Sequence, residues 1–340
     1  MLVAAAIILT AVLALPVAAR LSANRSSSGI ALAALAPVAG VAAGAIAIVA
    51  IVLLGPIGVL PAVPAAALAG WQVLPRCRRI GRAAPAPPQT RTAAGVDDVL
   101  RVVTLNALVG RAEPGAILDQ LRQLTPDLLV VQELTPELAD ILTTHLAETL
   151  PYASLEPAPG WSGLGTWSRR PIHQLPPVPE TCTPMPRIEF DLTDGRTLTV
   201  TLVHPLAPRN GGHRAWHHDL GLLLGVVSET ADPQLVVGDF NSSADHRQFR
   251  QLLAAGLADS ADIAQRRPWP GFTWPANRWF PALMRLDHVL VSQPGTTVRE
   301  VRTLQVPGTD HRGVLAVVEV HPSSAISVVA PERTGAGRLT

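Results

Sequence analysis

Acidic, amide and imidazole side chains stand at the ends of short apolar runs in the C-terminal two thirds of the chain. They are Asn106, Glu133, His204, Asp239, Asn241, Asp287, Asp310 and His311. Carboxylate and amide oxygens are the ligands that Mg²⁺ prefers, and an imidazole can contact a phosphate or move a proton. These residue types therefore suit metal-assisted chemistry on a phosphate group.

The position of these residues relative to β-type runs adds to the chemical argument. Asn106 ends the run VVTLN, Glu133 ends LVVQE, His204 ends LVH, and Asp239 with Asn241 closes VVGDFN. In α/β proteins, residues just past the carboxyl ends of strands line the crevice in which ligands bind. We therefore expect these side chains to meet at one edge of a sheet.

Apolar periodicity between residues 96 and 321 predicts an α/β domain with a substantial core. The predicted strands are residues 100–105, 127–132, 163–168, 187–192, 197–204, 234–239, 285–292, 298–305 and 313–320. The predicted helices are residues 114–124, 136–150, 213–229 and 245–255. The pair Asp194-Gly195 predicts a hairpin between two of the strands.

The order of the motifs resembles that of the endonuclease/exonuclease/phosphatase superfamily. The motifs TxN, QE, H, GDFN, LDHV and TDH follow one another over residues 101–320, and GLGTWSRRPI at 163–172 is similar to the family's central GxAxxSRxPI strand. Members include pancreatic-type deoxyribonuclease, apurinic endonucleases, bacterial sphingomyelinases and inositol polyphosphate phosphatases. The resemblance implies a four-layer α/β sandwich, in which two mixed β-sheets are flanked by helices.

The resemblance also implies roles for the polar residues. Glu133 would be the principal ligand of Mg²⁺ or Mn²⁺, assisted by Asn106 and Asp310. Asp239 would position or deprotonate the attacking water, and Asn241 would hold a phosphate oxygen.

The same resemblance assigns the remaining polar groups to the phosphate. Asp287 would hydrogen-bond His311 and fix its tautomer, so that the other ring nitrogen meets the phosphate. His204 would contact the phosphate from the opposite wall. His288 follows Asp287 in a predicted strand, so it should face the other way and be structural. Each acid or amide taken alone also suits a turn, a helix cap or a strand end.

An aromatic and proline-rich segment, residues 268–281, precedes the strand that begins near Asp287. Its Thr273-Trp274-Pro275 part is similar to the TWP element that borders the cleft in many superfamily members. Two interpretations remain open for Trp269, Trp279 and Phe280. They contact a base, an acyl chain or the bilayer interface, or they pack across the sheet edge.

The N-terminal region has a different composition, because Arg20 and Arg25 are its only charged residues before Arg76. Apolar stretches at residues 1–19, 29–54 and 55–74 predict a transmembrane anchor within residues 1–75, with three helices. The start lacks the basic residues of a signal peptide. A proline-broken hairpin or re-entrant segment is the alternative for the third stretch, which contains three prolines.

This anchor predicts a multi-pass protein of the cell membrane that contacts the lipid bilayer. Residues 76–96 are predicted to form a basic, proline-rich linker, residues 97–321 the catalytic domain, and residues 322–340 a disordered tail. With three spans, the arginines flanking the helices favour a cytoplasmic catalytic domain. With two spans the same rule gives conflicting assignments, and an extracytoplasmic catalytic domain is the alternative.

Composition narrows the function only in part. The net charge of +1 gives no overall nucleic-acid-binding signature. Two cysteines, Cys77 and Cys182, indicate neither a disulfide framework nor a zinc site. The sequence predicts a phosphoesterase whose substrate is a nucleic acid, a phospholipid or a small phosphoester. The alternative is an inactive membrane scaffold that binds a phosphorylated ligand, and no protein partner is implied.

Overall fold

The structure is a computed structural model that describes residues 1–21, 26–81, 98–231, 233–264 and 271–321. Four helices come first: α1 (Leu2–Leu21), α2 (Ser27–Ala34), α3 (Ala36–Leu54) and α4 (Val59–Gly81), with a 3-10 turn (Gly55–Gly58) before the last. The remaining helices are α5 (Pro114–Leu124), α6 (Pro136–Leu146), α7 (His213–Glu229), α8 (Arg247–Ala254) and α9 (Ser260–Ala264). The strands are β1 (Asp98–Asn106), β2 (Leu128–Gln132), β3 (Tyr152–Glu156), β4 (Leu164–Ser168), β5 (Ile172–Leu175), β6 (Arg187–Asp191), β7 (Thr197–Val203), β8 (Gln234–Asp239), β9 (Leu257–Asp259), β10 (Asp287–Ser292), β11 (Thr296–Leu304) and β12 (Gly313–Val320).

The described strands form two six-stranded mixed sheets. Their orders are β11-β12-β1-β2-β4-β3 and β5-β6-β7-β8-β10-β9. Each sheet has a parallel pair at its centre, β1 with β2 and β7 with β8, and its other pairs are antiparallel. The inner faces pack on each other, while α5 and α6 cover one outer face and α7 and α8 the other. The expected four-layer α/β sandwich is thus confirmed.

Alternation along the central strands explains why they are apolar throughout. In β1, Val102 belongs to the core between the sheets, whereas Val103 packs under the helices. In β8, Val237 likewise belongs to the core between the sheets, whereas Val236 packs under the helices. Successive side chains of a strand point to opposite faces, and both faces are buried here.

All nine predicted strands are present, and the structure adds β3, β5 and β9. Each of the three added strands lies at the edge of a sheet and is short. Edge strands bury less of their surface, so their apolar pattern is weaker; β3, for example, fully buries one of its five residues. The predicted hairpin at Asp194 is confirmed, because Leu192 N donates to Arg196 O (2.8 Å) between β6 and β7.

The N-terminal apolar helices are candidate membrane spans. Among the described residues, two stretches are long and apolar enough to cross a membrane, Leu2–Leu21 and Ala36–Trp71. The second comprises α3, the 3-10 turn and part of α4, and α3 and α4 pack along each other. The count of three spans stays a prediction.

The structure corrects two boundaries of the N-terminal region. The predicted second apolar stretch, residues 29–54, is two helices, because α2 ends before α3 begins at Ala36. Helix α4 continues to Gly81, so the first six residues of the predicted linker are helical. The rest of that linker and the predicted tail lie outside the described residues.

Candidate active site

The two parallel strand pairs bring polar residues to one edge of both sheets. Asn106 ends β1 and Glu133 follows β2, while His204 follows β7 and Asp239 ends β8. Parallel neighbours have their carboxyl ends at the same edge, so each pair presents two polar side chains together. Asp287 begins β10 and stands opposite Asp239 in the antiparallel register.

The glycine of the GDFN motif has a structural reason. Gly238 has φ = 148°, and a Cβ atom there would lie 2.0 Å from Val203 O in the neighbouring strand. A larger residue would force β7 and β8 apart just before Asp239. The glycine therefore fixes where the Asp239 carboxylate stands.

Asn106 connects the two sheets through its side chain. Its Nδ2 donates to Glu133 Oε1 (3.0 Å) and to Asp239 Oδ2 (3.0 Å), and its Oδ1 accepts from Leu108 N (2.9 Å). The amide thus faces the carboxylates with its nitrogen. Metal ligation through Oδ1, the role predicted for Asn106, would require the amide to turn.

Two residues of the site adopt strained backbone conformations. Glu133 has φ = 56° and Asn241 has φ = 45°, values that residues other than glycine seldom adopt. Such strain is found where function requires it. It turns Glu133 so that Oε2 accepts from Val109 N (2.8 Å). It also lets Asn241 N donate to Asp239 Oδ1 (2.8 Å).

The side chain of Asn241 is engaged away from the carboxylates. Its Nδ2 donates to Pro205 O (3.0 Å), which ties the GDFN loop to the residue after His204. A phosphate contact from Asn241 therefore stays a prediction.

His311 and His204 both approach Asp239. His311 Nδ1 pairs with Asp287 Oδ2 (2.9 Å), and its Nε2 lies 3.8 Å from Asp239 Oδ2. His204 Nε2 lies 3.7 Å from the same oxygen and 3.8 Å from Glu133 Oε1. Burial lowers the pKa of His311, but Asp287, Asp239 and Asp310 more than offset it and raise the pKa to about 10. His311 is therefore a cation at neutral pH in this arrangement.

Trp274 is a site residue that the sequence placed only in a bordering loop. Its Nε1 donates to Asp310 Oδ2 (3.0 Å), and Ala276 N donates to Asp310 O (2.7 Å). The Thr-Trp-Pro segment thus holds Asp310 directly.

Two threonines of the motifs, Thr273 and Thr309, were missed as contributors to the site. Thr273 Oγ1 accepts from Leu286 N (3.0 Å), next to Asp287, and Thr309 Oγ1 donates to Asn106 O (2.8 Å). The sequence did indicate both residues, because Thr273 is the first residue of the TWP motif and Thr309 is the first residue of the TDH motif. Both hydroxyls join the loops that carry the acidic residues.

The charge of this group fits a hard divalent cation. Asp287 Oδ1 and Asp310 Oδ1 are buried and have no hydrogen-bond partner among the described residues. The ion-pair partners found there for Glu133, Asp239, Asp287 and Asp310 are histidines, not arginines. Buried carboxylates that outnumber their counter-charges are costly, and His311 is one cation among four acids. Glu133, Asp310 and Asp239 would hold such a cation through oxygen atoms, and Asp239, Asp287 and His311 already place ligand atoms within 4.8 Å of one another.

A neighbouring acidic cluster has the opposite character. His288 Nδ1 pairs with Asp259 Oδ2 (2.7 Å), and Arg285 Nη2 binds both Asp259 (3.0 Å) and Asp262 (2.6 Å). His288 therefore faces away from Asp287's partners, as predicted, and belongs to a charge-compensated structural cluster.

The fold and the site together define a metal-dependent phosphoesterase or nuclease architecture. The model of the Endonuclease/Exonuclease/phosphatase family matches residues 103–311, and the chain belongs to that family. No curated protein matches the sequence significantly.

Several solved structures share this fold. D. rerio TDP2, complexed with a single-strand DNA product, is 18% identical with a TM-score of 0.52, covering 65% of this chain and 99% of its own. The endonuclease/exonuclease/phosphatase from Bacteroides vulgatus is 16% identical with a TM-score of 0.52, covering 66% and 100%. The human Nocturnin catalytic domain with bound sulfate anion is 17% identical with a TM-score of 0.50, covering 65% and 97%.

Proposed function

We propose that the chain is a membrane-anchored, Mg²⁺- or Mn²⁺-dependent phosphoesterase that hydrolyses a phosphodiester or phosphomonoester by in-line attack of water. The observation that carries the proposal is the buried acidic group around Asp239, which has histidines but no arginine as described ion-pair partners. When bound, the cation would neutralise charge on the phosphoryl oxygens and the leaving group.

Asp239 is placed to orient or deprotonate the water. Asn241 N and Asn106 Nδ2 hold one carboxylate oxygen each, at 2.8 Å and 3.0 Å. These two donors fix the direction of the carboxylate, and each oxygen keeps a lone pair to accept a proton from water.

His311 is placed to donate a hydrogen bond to the phosphate. Asp287 holds Nδ1 at 2.9 Å, so the proton on Nε2 is directed toward the side of Asp239. The raised pKa of His311 keeps that proton at neutral pH. His204 adds a second imidazole within 3.8 Å of the same carboxylate. Together the two rings line one side of an oxyanion-stabilising site, and His311 supplies its positive charge.

The anchor is assigned to the apolar helices α1, α3 and α4. Exposed side chains on them, such as Ile8, Val52 and Leu60, are apolar and would contact lipid. The arginines near Arg20 and after Trp71 favour a cytoplasmic catalytic domain in a three-span topology. A reporter fused after Thr340 tests that side, and export of the reporter would contradict it.

The activity test uses the full chain in detergent and a chromogenic aryl phosphodiester. We expect hydrolysis with Mg²⁺ or Mn²⁺ and none with EDTA. Asp239→Asn should lower kcat by about 10³-fold, within the range lost with a general base. Asp191→Asn is the control, because Asp191 is half-buried on β6 and its ion pair among the described residues is with His173 at 3.5 Å. Metal-independent hydrolysis, or an Asp239→Asn protein as active as the wild type, would refute the mechanism.

A further inference from the structure

One wall of the active-site cleft comes from the apolar N-terminal region. Ser27, Ile30, Ala31 and Ala34 of α2 line the same cleft as the acidic residues. The cleft has a volume of about 600 Å³. The residues that enclose the reacting group are therefore drawn from two regions that lie far apart in the sequence.

Helix α2 is fixed firmly to the catalytic domain. Ile30 is 2% exposed and packs in the core under α7 and α8, which includes Trp216 and Phe249. His246 Nε2 lies 3.0 Å from Ile30 O, and Ser27 Oγ lies 3.1 Å from His213 Nδ1. The wall is thus part of the folded site.

The candidate membrane spans adjoin both ends of α2 in the sequence. Helix α1 ends at Leu21, where Arg20 Nε pairs with the buried Asp245 Oδ1 (3.0 Å), and Arg250 donates to Arg20 O (2.9 Å). Helix α3 begins at Ala36, two residues after α2 ends. The cleft consequently lies where the apolar helices leave the catalytic domain, at the level expected for the bilayer surface.

The cleft has a charged part and an apolar part. Its charged part is the acidic and histidine group already described. Its apolar part includes Ala31, Ala34, Leu108, Val109, Trp161 and Leu206. Val109 and Trp161 remain 38% and 44% exposed, so this apolar surface is open to a ligand.

Positive charge along the cleft is sparse. Among its described lining residues, Arg209 supplies the single guanidinium. A groove that follows a nucleic-acid backbone carries several cations, because each bound phosphate needs one. One phosphate next to an apolar surface fits a phospholipid better than a polynucleotide.

We propose that the substrate is a lipid phosphoester of the bilayer in which the anchor lies. Its phosphate would bind at His204 and His311, and the first part of its apolar chain would lie against α2 at Ala31 and Ala34. This inference rests on the proposed phosphoesterase function and names its substrate class. The N-terminal region would then supply the attachment to the membrane through α1, α3 and α4 and a wall of the binding site through α2.

The test compares two substrates that differ only in chain length, ethyl and octyl 4-nitrophenyl phosphate, below the micellar concentration. The full chain is held in lipid nanodiscs with Mg²⁺ or Mn²⁺. Each methylene group moved from water onto an apolar wall is worth about four-fold in affinity. We therefore expect kcat/KM to be at least about ten-fold higher for the octyl ester.

Variants of α2 test whether this helix causes the preference for the octyl ester. Ala31→Asn places an amide on the wall, at an exposed position of α2. It should lower the octyl-to-ethyl ratio of kcat/KM by about four-fold, roughly the loss of one methylene contact. Ser28→Gln is the control, because Ser28 lies on the same helix and does not line the cleft. It should keep the wild-type ratio.

A binding measurement without turnover separates the wall from the chemistry. Octylphosphonate with a diazirine in its chain should label residues 27–34 in the full chain, and the ethyl analogue should not compete. A bilayer source is tested with hexadecyl 4-nitrophenyl phosphate, which should be hydrolysed in the protein's own vesicles and not when confined to separate vesicles.

Each contrary result has a distinct meaning. Hydrolysis of the ethyl ester without an octyl preference, or labelling outside α2, overturns the lipid assignment and leaves the phosphoesterase intact. Faster cleavage of an oligonucleotide than of the octyl ester also overturns it. Failure to hydrolyse either ester with metal overturns the proposed function and the lipid assignment together.

Discussion

Two groups of buried carboxylates lie next to each other in this molecule, and they differ in how their charge is compensated. Around Asp259, the guanidinium of Arg285 and the ring of His288 pair with the acid. Around Asp239, two oxygens, one from Asp287 and one from Asp310, have no described hydrogen-bond partner. The first group is complete within the described protein, whereas the second has more carboxylates than the cation His311 can balance. The difference indicates where a metal ion belongs.

Strand β1 repeats this contrast from one end to the other. Asp98 at its start accepts from Arg170 Nη1 (2.6 Å), Thr193 N (2.9 Å) and Thr193 Oγ1 (3.0 Å). Asn106 at its end bridges the uncompensated acids Glu133 and Asp239. At the Asp98 end of the sandwich the acid is fully paired by protein groups, whereas at the Asn106 end acidic oxygens are available to a ligand.

The largest effect should come from removing a carboxylate of the uncompensated group. Glu133→Gln is expected to lower kcat by about 10³-fold, because it removes charge directed at the cation. It should also abolish the rise in melting temperature that Mg²⁺ gives the wild type, since only a bound ligand stabilises the folded state. Glu137→Gln, at an exposed position of α6, is the control for both measurements. A wild-type metal response in Glu133→Gln would contradict the assignment.

A carboxylate of the compensated group should affect stability instead. Burial raises the pKa of Asp259, but Arg285 and His288 outweigh it and bring the pKa to about 2. Asp259→Asn removes the ion pair of Arg285 with Asp259 and should lower the free energy of unfolding by about 3 kcal/mol. Activity per folded molecule should stay within about two-fold, because the cluster does not contact the cleft. The measurements are thermal unfolding and turnover below the transition; unchanged stability would show that the pair is not a structural requirement.

The sequence could predict the uncompensated group but not the compensated one. Glu133, Asp239 and Asp310 each belong to a motif, and the order of these motifs resembles a family, so the sequence alone was enough to expect that they meet. No motif of the sequence pairs Arg285 with Asp259. The same limit explains α2: residues 29–54 are uniformly apolar, and only packing shows that Ile30 leaves the membrane stretch for the domain core.

Trp274 of the aromatic and proline-rich segment contacts Asp310 of the uncompensated group, and a substitution of Trp274 should give an intermediate effect. Trp274→Phe keeps the ring and removes the N–H that Asp310 Oδ2 accepts at 3.0 Å. Loss of a group that orients a metal ligand costs about ten-fold or more in metal affinity. We expect an approximately ten-fold higher Mg²⁺ concentration for half-maximal activity, with kcat nearly restored at saturation. Trp279→Phe is the control, because Trp279 is 96% exposed; an equal shift in that variant would remove the role assigned to the indole.

The smallest effect should come from His246, a buried imidazole whose pKa is lowered. Burial lowers the pKa of His246, while its contact with Ile30 O opposes this in part. Below pH 6.5 the unfolded chain therefore binds a proton that the folded chain does not, and the free energy of unfolding falls as the pH decreases. His246→Gln lacks this titration and loses, at every pH, the hydrogen bond that His246 Nδ1 accepts from Ser243 N (2.9 Å), at a cost of about 1 kcal/mol. The melting temperature of the wild type should thus exceed that of His246→Gln most clearly near pH 8, and the gap should narrow at about pH 5.5.

His311 is present in both proteins, so its opposite titration cancels from the difference. A gap that widens toward low pH would mean that His246 is protonated in the folded protein, and the neutral contact between α2 and the domain would have to be abandoned.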